Sequence, residues 1–326
     1  MKAFLYRKYG PLDVLQLEEI PRPVPNSREL LIKVIATSVN RTDCANIRAK
    51  PAIMRLSMGL FKPRNPILGT EFSGEVIETG NEVTYYKPGD KVFGFADSGL
   101  RSYAEYLLLQ PSIAFAKVPQ SINMQQAAGC IEGMHYAYNI INKITLNPGD
   151  QVLVNGATGG IGTAALQLLQ YLGMKITAVC NTENIELARS LGAIEVIDWQ
   201  KEDFTQSDKT YHAVFDVAGK STFGKCKHLL LPDGAYISSE LGPWSQNVGY
   251  SLLTAIFKSV PFNKGRKVKF PYPPNIMRSL RLLVNLIEEG HFTPVIDRIY
   301  PFEQIPEAFR YVEKGHKTGN VIISLS

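Results

Sequence analysis

Cysteine is scarce and scattered, with four residues (Cys44, Cys130, Cys180 and Cys226) in a chain of 326. None stands in a CxxC pair, so the pattern offers neither a disulfide framework nor a structural zinc cage. Long apolar runs are missing too. None approaches the ~18 residues of a membrane-spanning helix, so no transmembrane segment is expected. Charge of one sign is not in excess: 35 Lys and Arg against 30 Asp and Glu leave a formal net charge of +5. The cations are dispersed apart from Lys264, Arg266, Lys267 and Lys269, so nucleic acid is not an expected partner. Lys2 to Tyr6 already reads as a strand, which leaves little for a leader peptide and makes the cytosol the expected location.

What remains is ordinary globular composition, 45% hydrophobic and 20% charged, in a chain long enough for two domains. Up to about Ile122 the chain reads as short strands between turn residues. Leu30–Ala36 and Lys91–Phe95 are the clearest, and Glu75–Glu78 is a third. Gly, Pro and Asn at their ends suggest an irregular β-barrel. From Asn123 the character changes to strands alternating with helices. Gln151–Asn155, Lys175–Cys180, Glu195–Ile197 and Ala213–Val217 are apolar strands, and Gly160–Leu172 and Glu186–Leu191 are helices. That alternation indicates a doubly wound parallel sheet. Pro271–Pro274 marks a second boundary. The last stretch, a helix near Met277–Glu289 and a strand at Val321–Leu325, is read without a further βαβ unit and returns to the first domain. The expected division is therefore 1–122 with 273–326, and 123–272.

The strongest local signal runs from Val152 through Gly156-Ala157-Thr158-Gly159-Gly160-Ile161-Gly162. An apolar strand enters a glycine-rich turn that opens a helix. Against the GxGxxG fingerprint, Ala157 replaces the first glycine, Gly159 lets the backbone approach a pyrophosphate, and Gly162 lets the helix pack on the strand. A helix N-terminus there presents N–H groups and partial positive charge to phosphates. Ala157 to Gly162 are accordingly the expected cofactor-binding turn. The next strand ends Val179-Cys180-Asn181-Thr182, with no Asp or Glu to bind the ribose hydroxyls of NAD. Asn181 and Thr182 can donate to a 2′-phosphate and Arg189 is the nearest strong cation, so NADPH is expected, with NADH possible.

These residues, with others in order along the chain, resemble the medium-chain dehydrogenase/reductase superfamily and its zinc-independent quinone oxidoreductase branch. The matching stretches include Tyr9-Gly-Pro-Leu-Asp-Val-Leu15, Val39-Asn40-Arg-Thr-Asp43 and Gly69-Thr-Glu71-Phe-Ser-Gly74. Lys87-Pro-Gly-Asp90, Ser102-Tyr103-Ala-Glu-Tyr106, Leu191-Gly-Ala193 and Lys314-Gly-His-Lys-Thr-Gly319-Asn-Val321 follow. The resemblance implies an α/β protein with a GroES-like β-barrel catalytic domain, a Rossmann domain, a cleft between them, and a homodimer. Zinc relatives carry Cys, His-Glu and Cys at three motifs. The corresponding residues here are Asn40, Thr70-Glu71 and Glu132, and Phe95–Pro111 lacks the four cysteines of a structural zinc, so no metal is expected.

By the same resemblance Asn40 and Asp43 sit beside the nicotinamide. Tyr136 takes the place of a threonine that faces the cofactor, where a phenol is either a general acid or packing. His135 reads as structural. Ala218 and Gly219, Leu241, Asn320 and Trp199 fall at cofactor-lining positions, whereas Ile185 replaces a lysine that several NADPH-specific relatives place against the phosphate. Two apolar-basic stretches, 49–66 and 250–269, suit a substrate channel, a weak membrane-surface contact, or ordinary packing, the last being the commonest use of such sequence. The expected activity is reduction of a small hydrophobic quinone or α,β-unsaturated carbonyl. The alternatives are a zinc-free carbonyl or alcohol oxidoreductase, and a non-catalytic NADPH-binding sensor or interaction protein.

Overall fold

The computed structural model describes residues 1–110, 112–238, 247, 249–251, 265–271 and 275–325. They fall into two compact units, Met1–Glu132 with Asn275–Ser326, and Gly133–Pro274. The first division comes ten residues after the change of character at Asn123. The short helix α3 (Met124–Ala127) packs on the strands of the first unit and so stays with it.

In the first unit β1 (Lys2–Tyr6) and β2 (Leu15–Glu19) form an antiparallel pair. β3 (Leu30–Val39) is buried along almost its whole length. It pairs antiparallel with β4 (Glu71–Thr79), which continues to β5 (Lys91–Phe95) and β7 (Ala114–Lys117), while β6 (Tyr106–Leu109) pairs with β3 as well. The close approach of β4 to β3 requires Gly74, where a Cβ would lie 2.5 Å from Ile32 Cγ2 and from Lys33 O. Phe72, Val92, Val76 and Ile32 fill the core beside this sheet, each burial stabilising by about 1.5–3 kcal/mol. After β3 the chain turns into α1 (Arg41–Arg48), begun by a capping box in which Asp43 Oδ2 accepts the Asn40 N–H at 2.9 Å. α2 (Arg55–Met58) follows, and α4 (Ile131–Ile141) carries the chain onward into the second unit.

The second unit is the parallel sheet, in the order β10-β9-β8-β11-β12-β13. Its strands are β8 (Gln151–Asn155), β9 (Lys175–Cys180), β10 (Ala193–Asp198), β11 (Tyr211–Asp216), β12 (Leu230–Ser238) and β13 (Lys267–Lys269), and every pair is parallel. Helices α5 (Gly160–Tyr171), α6 (Ile185–Ser190) and α7 (Phe223–Cys226) lie between them in sequence. Strands buried on both faces read as unbroken apolar runs, which is why QVLVN and KITAVC are so plain in the sequence.

The C-terminal part of the first unit corrects one expectation. After α8 (Ile276–Glu288), β14 (Ile296–Pro301), α9 (Ile305–Glu313) and β15 (Asn320–Ser324) form a β–α–β unit, because β14 pairs parallel with β15. β15 then joins β3 antiparallel, so the sheet runs β14-β15-β3-β4-β5-β7. β14, Ile-Asp-Arg-Ile-Tyr-Pro, is an edge strand with no fully buried residue, and so lacks the apolar run that marks a strand in sequence.

Candidate active site

The glycine-rich turn joins the end of β8 to α5. Its left-handed residue is Gly156, with φ 83°, rather than the position of Ala157. The tight-turn glycine therefore stands one residue earlier than the GxGxxG alignment put it. Ala157 is buried and its N–H donates to Val179 O at 3.1 Å, which spends its backbone donor inside the protein. Gly162 is needed for packing: a Cβ there would lie 2.1 Å from Gly156 O. Gly159 is different. Its φ is −78°, and the nearest atom to an added Cβ is Gly156 O at 3.6 Å. Neither the fold nor the backbone requires a glycine there, and the missing side chain leaves open space. Gly159 caps α5 without a side-chain bond, and no acid stands in the first turn. A helix leaves its first N–H groups unpaired, here those of Gly160, Ile161 and Gly162, which suits a pyrophosphate.

The facing strand end is set by Asp216. Its Oδ1 accepts Asn155 Nδ2 at 2.8 Å and the Gly219 N–H at 3.0 Å, and its Oδ2 accepts the Ser221 N–H at 3.0 Å and the Tyr236 hydroxyl at 2.9 Å. Ala218 donates its N–H to Asn155 O at 3.2 Å, so Ala218 and Gly219 are held against the end of β8. Leu241 lies outside the described residues.

At the end of β9 the structure adds a carboxylate that local sequence does not reveal. Thr182 Oγ1 donates to Asp198 Oδ2 at 2.5 Å and to Gln200 Oε1 at 3.0 Å, so its hydroxyl is engaged. That bond first, then the Gln200 N–H and Lys201, hold the Asp198 carboxyl below its ordinary range. Asn181 is also engaged locally, with Glu183 and Asn184. Arg189 pairs with Glu186 at 2.7 Å on the surface of α6. Lys201 Nζ stands 3.5 Å from Asp198, a second cation at this strand end that local sequence did not single out. Trp199 is half-exposed and donates its N–H to Cys180 O, which fixes it beside the end of β9. Tyr136, on the part of α4 belonging to the second unit, is half-buried and edge-on to His135. His135 is buried with Asn139 against its ring, and burial lowers its pKa to about 4.

In the first unit, residues far apart in sequence converge on Glu132, the second residue of α4. Asn40 Nδ2 donates to Glu132 Oε2 at 2.7 Å, and Thr70 Oγ1 donates to the same atom at 3.3 Å. Thr42 Oγ1 donates to Oε1 at 2.6 Å. The three positions matched to zinc-ligand motifs are therefore brought together, and bonded to one another. Asn40 Nδ2 also reaches Ser38 Oγ at 3.0 Å, so both its protons have acceptors within the protein. Asp43 is fully buried and serves the cap of α1, and its Oδ1 lacks a hydrogen-bond partner among the described residues. Asn320 Nδ2 donates to Val295 O at 3.2 Å.

Glu71 is fully buried behind this set. Its Oε1 accepts the N–H of Ile131 at 2.5 Å and of Glu132 at 3.0 Å, at the start of α4, and its Oε2 accepts the Ser38 hydroxyl at 2.8 Å. Three carboxyls in one buried network repel and are poorly solvated. Burial first, and Glu132 second, push Glu71 and Asp43 each up to about 8. Burial pushes Glu132 to about 6, opposed by the Thr42 bond. Lys317 is the cation facing them. Its Nζ donates to Gly319 O at 2.5 Å, and burial lowers its pKa against the pull of Glu132, Asp297 and Glu71. Thr42, Glu71 and Lys317 stand inside the matched motifs but have no neighbours in sequence that would declare this network.

Known proteins share this architecture. A model described as "Alcohol dehydrogenase GroES-like domain" matches residues 26–120, and one described as "Zinc-binding dehydrogenase" matches residues 191–323. The chain is 30% identical to the NAD(P)H oxidoreductase RTN4IP1, mitochondrial, of Homo sapiens, over all of this chain and 89% of the relative. It is 29% identical to the NADPH-dependent alkenal/one oxidoreductase, chloroplastic, of Arabidopsis thaliana, over 99% of this chain and 79% of the relative. The structure of the quinone oxidoreductase from Coxiella burnetii superimposes with a TM-score of 0.84 at 26% identity, covering 100% of this chain and 99% of that one. With a GroES-like unit, a Rossmann-type parallel sheet and similarity over its full length, the chain belongs to the medium-chain dehydrogenase/reductase superfamily, in its quinone oxidoreductase branch.

Proposed function

We propose that this protein is a zinc-independent oxidoreductase that uses NADPH to reduce quinones or α,β-unsaturated carbonyls. The observation that carries the reading is the turn at Gly159, where the protein leaves room for a side chain and sets an acid-free helix N-terminus behind it. NADPH, when bound, supplies the hydride. The chain supplies binding and orientation. The N–H groups of Gly160, Ile161 and Gly162 take the pyrophosphate beside Thr158, and the backbone of Ala218 and Gly219 lines the cofactor. Asn181, Thr182, Trp199, Arg189 and the newly seen Lys201 stand toward the adenosine phosphate. By resemblance Asn40, Asp43 and Asn320 are read at the nicotinamide, Asp43 through the α1 cap it holds for Asn40 rather than by contact, with Tyr136 as a packing residue or acid. Leu241 keeps its place in this reading by resemblance alone. The names of the Arabidopsis and Coxiella relatives support the cofactor and the substrate classes.

Zinc-independence rests on donor chemistry. Asn40, Thr70 and Glu132 offer an amide, a hydroxyl and a single carboxylate, already hydrogen-bonded together, where zinc needs three nitrogen, sulfur or carboxylate ligands. The reading extends to a homodimer, by resemblance, and to the cytosol, which the four free cysteines suit. The human and Arabidopsis relatives are named for the mitochondrion and the chloroplast. No helix among the described residues is long and apolar enough to cross a membrane.

The test is oxidation of NADPH and NADH against quinones, enones and aldehydes with EDTA present throughout. Turnover with NADPH despite the chelator is expected. Saturable NADPH binding with no turnover on any of these substrates would overturn the reductase reading and favour a sensor.

A further inference from the structure

We propose that Glu132 is the proton donor of the reduction, its carboxyl handing its proton to the oxygen of the reduced substrate. This rests on the reductase reading, in which Asn40 lies beside the nicotinamide, and it assigns the proton that reading leaves unassigned.

Three observations select Glu132. First, a carboxylate offers about four lone-pair sites. The described hydrogen bonds fill three on Glu132: Asn40 and Thr70 at Oε2, and Thr42 at Oε1. The second site on Oε1 is open to a proton. Second, of the three acidic residues in the network only Glu132 keeps any exposed surface, 7% against 0% for both Asp43 and Glu71. It is the member of the network that borders open space. Third, its carboxyl is fixed by side chains from three separate segments (Asn40 before α1, Thr42 in α1 and Thr70 before β4), which preorganises it as an acid must be. Burial and Asp97 favour its protonated form, while the Thr42 and Asn40 bonds and Lys317 favour the carboxylate. Asp43 and Glu71 also face it, but their carboxyls are pushed up to about 8 and so carry their protons where Glu132 titrates. The carboxyl sits near pH 6, close enough to neutrality to give and regain a proton.

The step balances. An enone gains a hydride at its β-carbon, forming a C–H bond, and the electron pair of the C=C bond moves to make an enolate. The Glu132 O–H bond breaks, its proton forms an O–H bond on the enolate oxygen, and the enol tautomerises in water. For a quinone, the same proton completes the hydroquinone. Glu132 regains a proton from solvent, so the sum is substrate, NADPH and one proton going to reduced substrate and NADP⁺.

The experiment compares the wild type with Glu132→Gln and Thr42→Val. The expected loss of kcat in E132Q is about 100-fold or more, with NADPH affinity by fluorescence titration unchanged. Wild-type kcat should fall tenfold per pH unit above the Glu132 ionisation. E132Q should lack that limb. T42V, lacking a bond that favours the carboxylate, should move the limb to higher pH. Infrared titration should show a protonated-carboxyl band that E132Q loses and T42V carries to higher pH, whatever the activity. E132Q with wild-type kcat and pH limb, or with an unchanged infrared titration, overturns this role alone. A wild type that binds NADPH and reduces nothing overturns the reductase reading and this role together.

Discussion

At the N-terminus of α4 the Glu71 carboxyl accepts the N–H groups of Ile131 and Glu132, while at the N-terminus of α5 the capping residue is Gly159, which has no side chain to offer. Both helix ends carry the same partial positive charge and the same unpaired donors. In the first unit the protein answers them from within, and the answer is buried. In the second unit it withholds every acid from the first turn and keeps the approach clear. One end is a structural joint, with its acceptor built in. The other is left open, which is where the proposed reading puts the cofactor phosphates.

The comparison is easiest to break at the open end. Gly159→Asp gives α5 a built-in carboxyl, as Glu71 gives α4, and the backbone and local space accept the side chain. NADPH affinity should fall on the order of 100-fold, ~2.7 kcal/mol, with thermal unfolding of the free protein no lower than wild type. Unchanged affinity would place the phosphates elsewhere. At the closed end, Glu71→Ala leaves two buried N–H groups without an acceptor and should cost about 2 kcal/mol in urea unfolding.

The wild type should also lose stability as pH rises. Glu71 holds its proton more tightly folded, near 8, than unfolded, near 4.5. The folded state therefore binds more protons across that window. The contribution is complete below about 4.5, drains away as pH climbs through the window to 8, and is flat above it. Glu71→Gln should reduce that slope, leaving the part that Asp43 and Glu132 contribute. A wild type with no loss would mean that α4 holds Glu71 ionised. The smallest effect is expected at the adenosine end. Lys201→Ala, an exposed cation, should reduce the preference for NADPH over NADH by about threefold, measured as the ratio of kcat/KM.

Most of the parallel sheet was legible because its strands are buried on both faces and the phosphate turn is one contiguous stretch, Val152 to Gly162. What sequence misplaced there was the turn's glycine, since only the backbone shows φ at Gly156. The exposed edge strand β14 gave no periodic signal, so its β–α–β unit with β15 went unread. The first-unit site was legible only as an absence of zinc ligands. That Asn40, Thr42 and Thr70 converge on one carboxyl is a consequence of tertiary folding across some ninety residues, and no local pattern encodes it. The same holds for Asp198, whose carboxylate reaches Thr182 across neighbouring strands and supplies the acid that the end of β9 lacks.

Asp216 has a consequence for the whole edge of the sheet that carries the glycine turn. Ladder hydrogen bonds alone let neighbouring strands slip by two residues without turning a side chain to the other face. Asp216, on β11, grips Asn155 at the end of β8 and Tyr236 on β12. One side chain thus ties β11 to both of its neighbours, next to the rim from which the glycine turn springs.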